Sequence, residues 1–156
     1  MAAKTKAEEI YSIVSSIIGL KAWEVTKGFA YSAFLEFGEL KIDSFGRVGS
    51  DRFLSIYGLW RIETSEEVLT SVQTYVEDTR LMEVLQSIEG KELLEVTIAE
   101  PSLDTTFHFE DDLNIFVYNA HFQGNHNEAW NYIYPVDNVL SIGPGSNYSI
   151  ESYSGR

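Results

Sequence analysis

Apolar residues change their spacing several times along the chain, and each change marks an element. Ile10, Ile13, Val14, Ile17 and Ile18 recur at helical spacing and form one stripe. Ahead of them, Thr5-Lys6-Ala7-Glu8 reads as a capping box, in which the Thr5 hydroxyl and the Glu8 carboxylate each satisfy a free backbone N–H. Gly19 stands where a left-handed residue closes a helix. A one-sided stripe needs a cover, so this helix is expected to pack on a sheet. From Leu20 to about Ser71 the period is two. Phe29, Tyr31, Ala33, Leu35 and Phe37 alternate with smaller or polar residues, and Leu40 and Ile42 continue as a short strand. Residues 45–50 are turn-rich. Leu54, Ile56, Gly58, Trp60 and Ile62 make one face of a long strand, with Trp60 in the core and Gly58 marking a bulge or a close approach. Val68 to Val72 reads as a further strand.

A second helix is predicted from Tyr75 to Ile88, opened by Thr74-Tyr75-Val76-Glu77, striped by Leu81, Val84, Leu85 and Ile88, and ended by Gly90. Period two then returns. Leu94, Val96 and Ile98 share a face, as do Leu103, Thr105, Phe107 and Phe109, and then Leu113, Ile115 and Val117. Glu110-Asp111-Asp112 is the turn of a hairpin that keeps Phe109 and Leu113 on one face. Trp130, Tyr132 and Tyr134 share a face before Pro135, and Val139 to Ile142 precede the turn Gly143-Pro144-Gly145. With no repeat or linker, residues 1–156 read as one domain. The expected fold is α+β: one mainly antiparallel sheet, strongly curved and barrel-like if it closes on itself, with two helices packed against it.

Composition narrows the function. At 156 residues and 44% hydrophobic, the chain supports a core without a disulfide or metal staple. The absence of cysteine removes thiol nucleophiles, Cys-zinc sites and iron–sulfur ligation. Acids number 24 against 11 lysines and arginines, a net charge of −13. Nucleic acid and anionic membranes are therefore not expected partners, since both require a basic face. No secretion signal or spanning apolar segment is evident, so the cytoplasm is the expected location.

Chemistry-bearing patterns are sparse. His121 and His126 have zinc-like spacing, but no cysteine or His-Glu-x-x-His pattern completes a site. His108 is out of phase with the core positions of its strand and faces away from them. There is no Gly-x-Ser-x-Gly elbow, and Gly143-Pro144-Gly145-Ser146 is no phosphate loop, because Pro144 lacks an N–H and no lysine follows. The reading therefore assigns no catalytic residue, metal or cofactor. Two features remain. After Lys91 the only base is Arg156, whereas acids recur and are densest at Glu110, Asp111 and Asp112. The C-terminal strands are aromatic on both faces, and two helices are too few to cover a large sheet. Solvated acids and core aromatics explain both features blandly. Their functional reading is a site for a basic protein at Glu110, Asp111, Asp112, Trp130, Tyr132 and Tyr134. The alternative is a small-ligand domain, or an enzyme, with a pocket lined by Trp130, Tyr132 and Phe116.

Three stretches carry a resemblance. They are Leu54-Ser55-Ile56-Tyr57-Gly58-Leu59-Trp60-Arg61-Ile62-Glu63, then residues 103–117 around Phe107-His108-Phe109-Glu110-Asp111-Asp112, then Trp130-Asn131-Tyr132-Ile133-Tyr134-Pro135 with Ile142-Gly143-Pro144-Gly145. In this order they are similar to a family of small, mostly uncharacterised bacterial proteins found among the immunity-like proteins of polymorphic toxin systems. The resemblance covers about a third of the chain directly, and Asp111-Asp112 departs from the Asp-Gly common at such turns. It implies a fold more than an activity: a non-catalytic protein that neutralises a basic toxin domain. It carries over no catalytic residue.

Overall fold

Helix α1 (Lys6–Val14) begins with both halves of its capping box made: Glu8 N–H donates to Thr5 Oγ1 at 3.1 Å and Thr5 N–H to Glu8 Oε1 at 2.9 Å. A 3-10 turn (Ser15–Ile17) tightens its end, and Gly19 takes φ +93°. Ile10, Val14 and Ile17 are fully buried, as the stripe requires. These features come from a computed structural model of the chain, which describes residues 3–28, 32–42, 46, 48–72, 79–119, 128–135 and 137–152.

The strands are β1 (Glu24–Lys27), β2 (Ala33–Glu36), β3 (Leu40–Ile42), β4 (Val48–Ser50), β5 (Phe53–Ile56), β6 (Leu59–Glu63) and β7 (Val68–Ser71). Helix α2 (Thr79–Ile88) follows, then β8 (Leu93–Ile98), β9 (Thr105–Phe109), β10 (Leu113–Tyr118), β11 (Trp130–Tyr134), β12 (Asn138–Ile142) and β13 (Tyr148–Ser152). All pairings are antiparallel. They form a six-stranded sheet β1-β2-β5-β11-β12-β13, a five-stranded sheet β7-β6-β10-β9-β8, and a ribbon β3-β4. The two large sheets meet face to face. Phe107 of β9 packs edge-on against Trp130 of β11 with centroids 5.2 Å apart, and Phe37 stacks on Phe109. One apolar cluster fills the space between them.

The helices sit at the sides of this sandwich. Helix α2 packs against β1 and β7, an edge strand from each sheet. Helix α1 packs against edge strand β8, and Ser16 beyond its end hydrogen-bonds Tyr132 of β11. The fold is thus α+β and mostly antiparallel, with two helices against the sheets.

Several expectations need correction. The chain forms two principal sheets, not one, and they do not close into a barrel. The long strand expected over 54–62 is two strands in different sheets. Gly58, at φ +68°, lets the chain leave β5 and enter β6, a backbone turn that a side chain would strain. Trp60 is nonetheless buried, with Ile56 and Ile62, as expected. A bulge between Leu93 and Glu95 shifts the face of β8, so Leu94 is half-exposed while Leu93 and Val96 are buried. Beyond the Gly143–Gly145 turn, where the expected strands end, the chain adds β13. The hairpin at Glu110-Asp111-Asp112 is as expected: Phe109 and Leu113 are register partners, both buried, and Asp111 and Asp112 take φ +62° and +58°. Phe29, Tyr31, Phe45 and the cap at Thr74–Glu77 lie outside the described residues. None of the described helices is long and apolar enough to cross a membrane.

Candidate functional site

The acidic turn is tied into the fold. Glu110 Oε1 accepts the Glu92 N–H at 2.6 Å, Asp111 forms an ion pair with Lys91, and Asp112 Oδ2 accepts both the N–H and the hydroxyl of Ser65, at 2.8 and 2.7 Å. The Ser65 hydrogen bonds hold the Asp112 carboxyl below the usual aspartate range. These groups hold β8, β9, β10 and the loop before β7 together. Asp111 and Asp112 are exposed, as a solvated turn would have them, and each of the three also has a partner within the chain.

The aromatic half of the expected site comes apart. Trp130 and Tyr132 are fully buried between the sheets, so neither can present a surface to a partner. Their alternating face is the inner one. Tyr134, at the strand end, is half-buried and stacks on Tyr132 at 5.3 Å. Burial, then the neighbouring Tyr132, raises its hydroxyl above the usual tyrosine range. Phe116 lies on the outer face of the other sheet, so Trp130, Tyr132 and Phe116 do not line a common pocket.

Tyr132 does join one polar cluster. Arg52 Nη1 donates to Ser16 Oγ at 2.9 Å and to Tyr132 Oη at 3.0 Å, while Ser16 and Tyr132 share a 2.7 Å contact. Ser16 Oγ also donates to the Ile13 carbonyl at 3.0 Å. Its proton is therefore committed to a backbone acceptor, and the Tyr132 hydroxyl must be the donor between the two. Among the described residues, no imidazole or carboxylate is hydrogen-bonded to Ser16 Oγ to take its proton, as an activated nucleophile would require. The cluster ties α1 to the six-stranded sheet.

A hollowed, partly apolar surface lies on the outer face of the five-stranded sheet. Its cross-strand partners are Leu59 with Tyr118, Arg61 with Phe116, and Glu63 with Asn114. The Arg61 guanidinium lies 4.3 Å from the Phe116 centroid, and its Nε donates to Glu63 at 2.8 Å. Beside this stack is an open hollow of about 380 Å³ bordered by Leu59, Arg61, Ser71, Val72, Phe116 and Tyr118. Leu59 and Tyr118, the register pair at the end of β6 and β10, are 45% and 49% exposed. The sequence signal was present, since Phe116 and Tyr118 alternate with Ile115 and Val117. What it lacked was the register that sets Leu59 and Arg61 opposite them.

His108 faces away from the core, as expected, with Asn114 Oδ1 at 2.9 Å and Thr97 Oγ1 at 3.1 Å from its two nitrogens. His121 and His126 lie outside the described residues, among which no cluster of metal-ligating side chains occurs. In comparisons with known proteins, no family model, no curated protein and no solved structure matches the chain.

Proposed function

We propose that this chain is a non-catalytic cytoplasmic binding protein that docks a basic partner protein on the outer face of its five-stranded sheet. The observation that carries the reading is the exposed Leu59–Tyr118 pair beside the Arg61–Phe116 stack and its hollow. Tyrosine, arginine and phenylalanine supply large, stiff contact surfaces, the kind that concentrate binding energy when water is excluded. Arg61 is already balanced by Glu63, so an apolar side chain of the partner can enter the hollow without stranding a charge. The net charge of −13 supplies long-range attraction toward a basic protein. The partner class that the sequence resemblance implies is a toxin domain, which docking would neutralise by covering its working surface.

The test is affinity capture with the wild-type chain and with Tyr118→Arg, followed by binding kinetics with the recovered protein. The expected result is a basic protein whose association slows as salt rises and whose affinity falls at least about tenfold in the variant. A recovered partner that binds both forms equally removes this face from the interface. One that associates at the same rate at low and high salt removes the role of charge.

A further inference from the structure

The two principal sheets have four edges, and three are closed. On β1, the Val25 N–H donates to Glu89 Oε2 at 3.0 Å, with α2 alongside. On β7, the Leu69 carbonyl accepts Arg80 Nε at 3.3 Å beside the same helix. On β8, Leu93 donates to the Leu20 carbonyl and accepts from the Gly19 N–H, and Glu95 Oε1 takes the Val96 N–H. Strand β13 is different. It pairs with β12 on one side, and among the described residues nothing bonds to the backbone of its other side. A free row of N–H and C=O groups is a template for another strand. Lysine, proline and a bulge, which often blunt such an edge, are absent from β13, and its one charged side chain is Glu151.

The side chains of β13 state what the added strand should carry. Ile150 is register partner to the buried Leu140, yet it is 44% exposed because the apolar face ends there. Glu151, on the opposite face, is exposed, and Asp137 adjoins the far end, where Asn138 pairs with Ser152. At the near end the Glu9 carboxylate raises the Tyr148 hydroxyl above the usual tyrosine range. Among the described residues, Lys6 lies there and spends its ammonium on the Ser146 carbonyl at 2.7 Å. We propose that the outer edge of β13 accepts an extended basic segment of a partner protein as an added strand, with an apolar residue beside Ile150 and a lysine or arginine beside Glu151. The strand site rests on the edge geometry. The sign of its occupant's charge rests on the basic-partner reading above. A second copy of this chain is disfavoured there, since each copy carries −13.

The experiment follows amide hydrogen exchange of the full chain in the presence of two seven-residue probe peptides, one alternating lysine with valine and one alternating glutamate with valine. The lysine peptide should slow exchange within 148–152 at least about tenfold, and the glutamate peptide should not. Glu151→Lys should reverse that preference, and Ile150→Lys should weaken the lysine peptide, with melting curves confirming that both variants fold. Protection confined to the face around Phe116 and Tyr118 overturns the strand site and leaves the docking face standing. No protection anywhere also overturns it. Equal protection by both peptides overturns the basic occupant. A concentration-dependent dimer with 148–152 protected in the absence of peptide assigns the edge to a second copy, and likewise overturns the proposal.

Discussion

Trp130 separates a core role from a docking role, and a double-mutant cycle can measure which it has. Its indole is fully buried, edge-on to Phe107, and its Nε1–H donates to Thr105 Oγ1 at 3.0 Å. Thr105 in turn gives its own proton to the Leu103 carbonyl at 3.0 Å. Trp130→Phe therefore strands no proton; it empties one lone pair on Thr105 and leaves a void. The lost hydrogen bond is worth about 0.5–1.5 kcal/mol, and the void with its lost transfer energy roughly 2 more. Thr105→Val strands both the indole N–H and the Leu103 carbonyl, at about 2–3 kcal/mol. In the double variant only the carbonyl is left over. The two losses should then fall short of additivity by about 1–2 kcal/mol. Urea denaturation of the four proteins, followed by circular dichroism, gives these differences if the slope with denaturant stays constant. Additivity to within about 0.3 kcal/mol would refute the hydrogen bond. A Trp130→Phe protein of unchanged stability that has lost partner binding would return Trp130 to the surface.

The remaining predictions concern one core position and two carboxylates. Trp60→Ala should cost about 3–5 kcal/mol in the same urea assay, and a loss below about 1 would place Trp60 outside the core. Burial raises the Glu36 carboxyl above the usual glutamate range, the Ser50 hydrogen bond partly offsetting this and Glu24 across the strand pair adding to it. The native state then holds more protons than the unfolded chain between the ordinary and the raised value, so this group lowers stability as pH rises through that window. Glu36→Gln should remove that part of the slope, and urea midpoints that change in parallel for both proteins across the window would refute it. Asp112 has the opposite sign: its lowered carboxyl contributes stability above the ordinary aspartate value and loses it as pH falls through the lowered one. Melting temperatures of wild type and Asp112→Asn should differ at neutral pH and converge in acid; a constant gap would refute the Ser65 bonds.

Local patterns gave α1, its cap, the Glu110–Asp112 hairpin and the burial of Trp60, because each is decided by residues a few positions apart. What the patterns could not decide was set by distant pairing. Leu54 through Ile62 keeps one unbroken alternation, yet the left-handed Gly58 sends its halves to separate sheets. Trp130, Tyr132, Phe116 and Tyr118 looked alike as aromatics on alternating strands. The opposing sheet decides that the first two are inside and the last two outside. Tyr148, Ile150 and the polar residues between them do alternate, and that short signal could have revealed β13. The docking face was half legible, since Phe116 and Tyr118 stand out of phase with their buried neighbours, while their pairing with Arg61 and Leu59 depends on register.

The acidity of the chain also takes on a different meaning once the hydrogen bonds are placed. Carboxylates of Glu8, Asp51, Glu89, Glu95, Glu100, Asp104, Glu110 and Asp112 each accept a backbone N–H, from Thr5, Glu39, Val25, Val96, Ala7, Asn119, Glu92 and Ser65 respectively. An ionised carboxylate is an acceptor with no proton to place, so it suits the free donors at helix starts, loops and strand edges. A short-stranded sandwich has many such donors, and part of its acid excess serves the fold. That use does not spend the charge. A carboxylate bonded to an amide still contributes to the field at a distance. What it loses is freedom to meet a partner's cation at close range without giving up its amide. In the proposed docking, long-range steering would therefore draw on the whole −13, and specific contacts would fall to surfaces the fold has not already occupied. The Leu59–Tyr118 face and the outer edge of β13 are such surfaces.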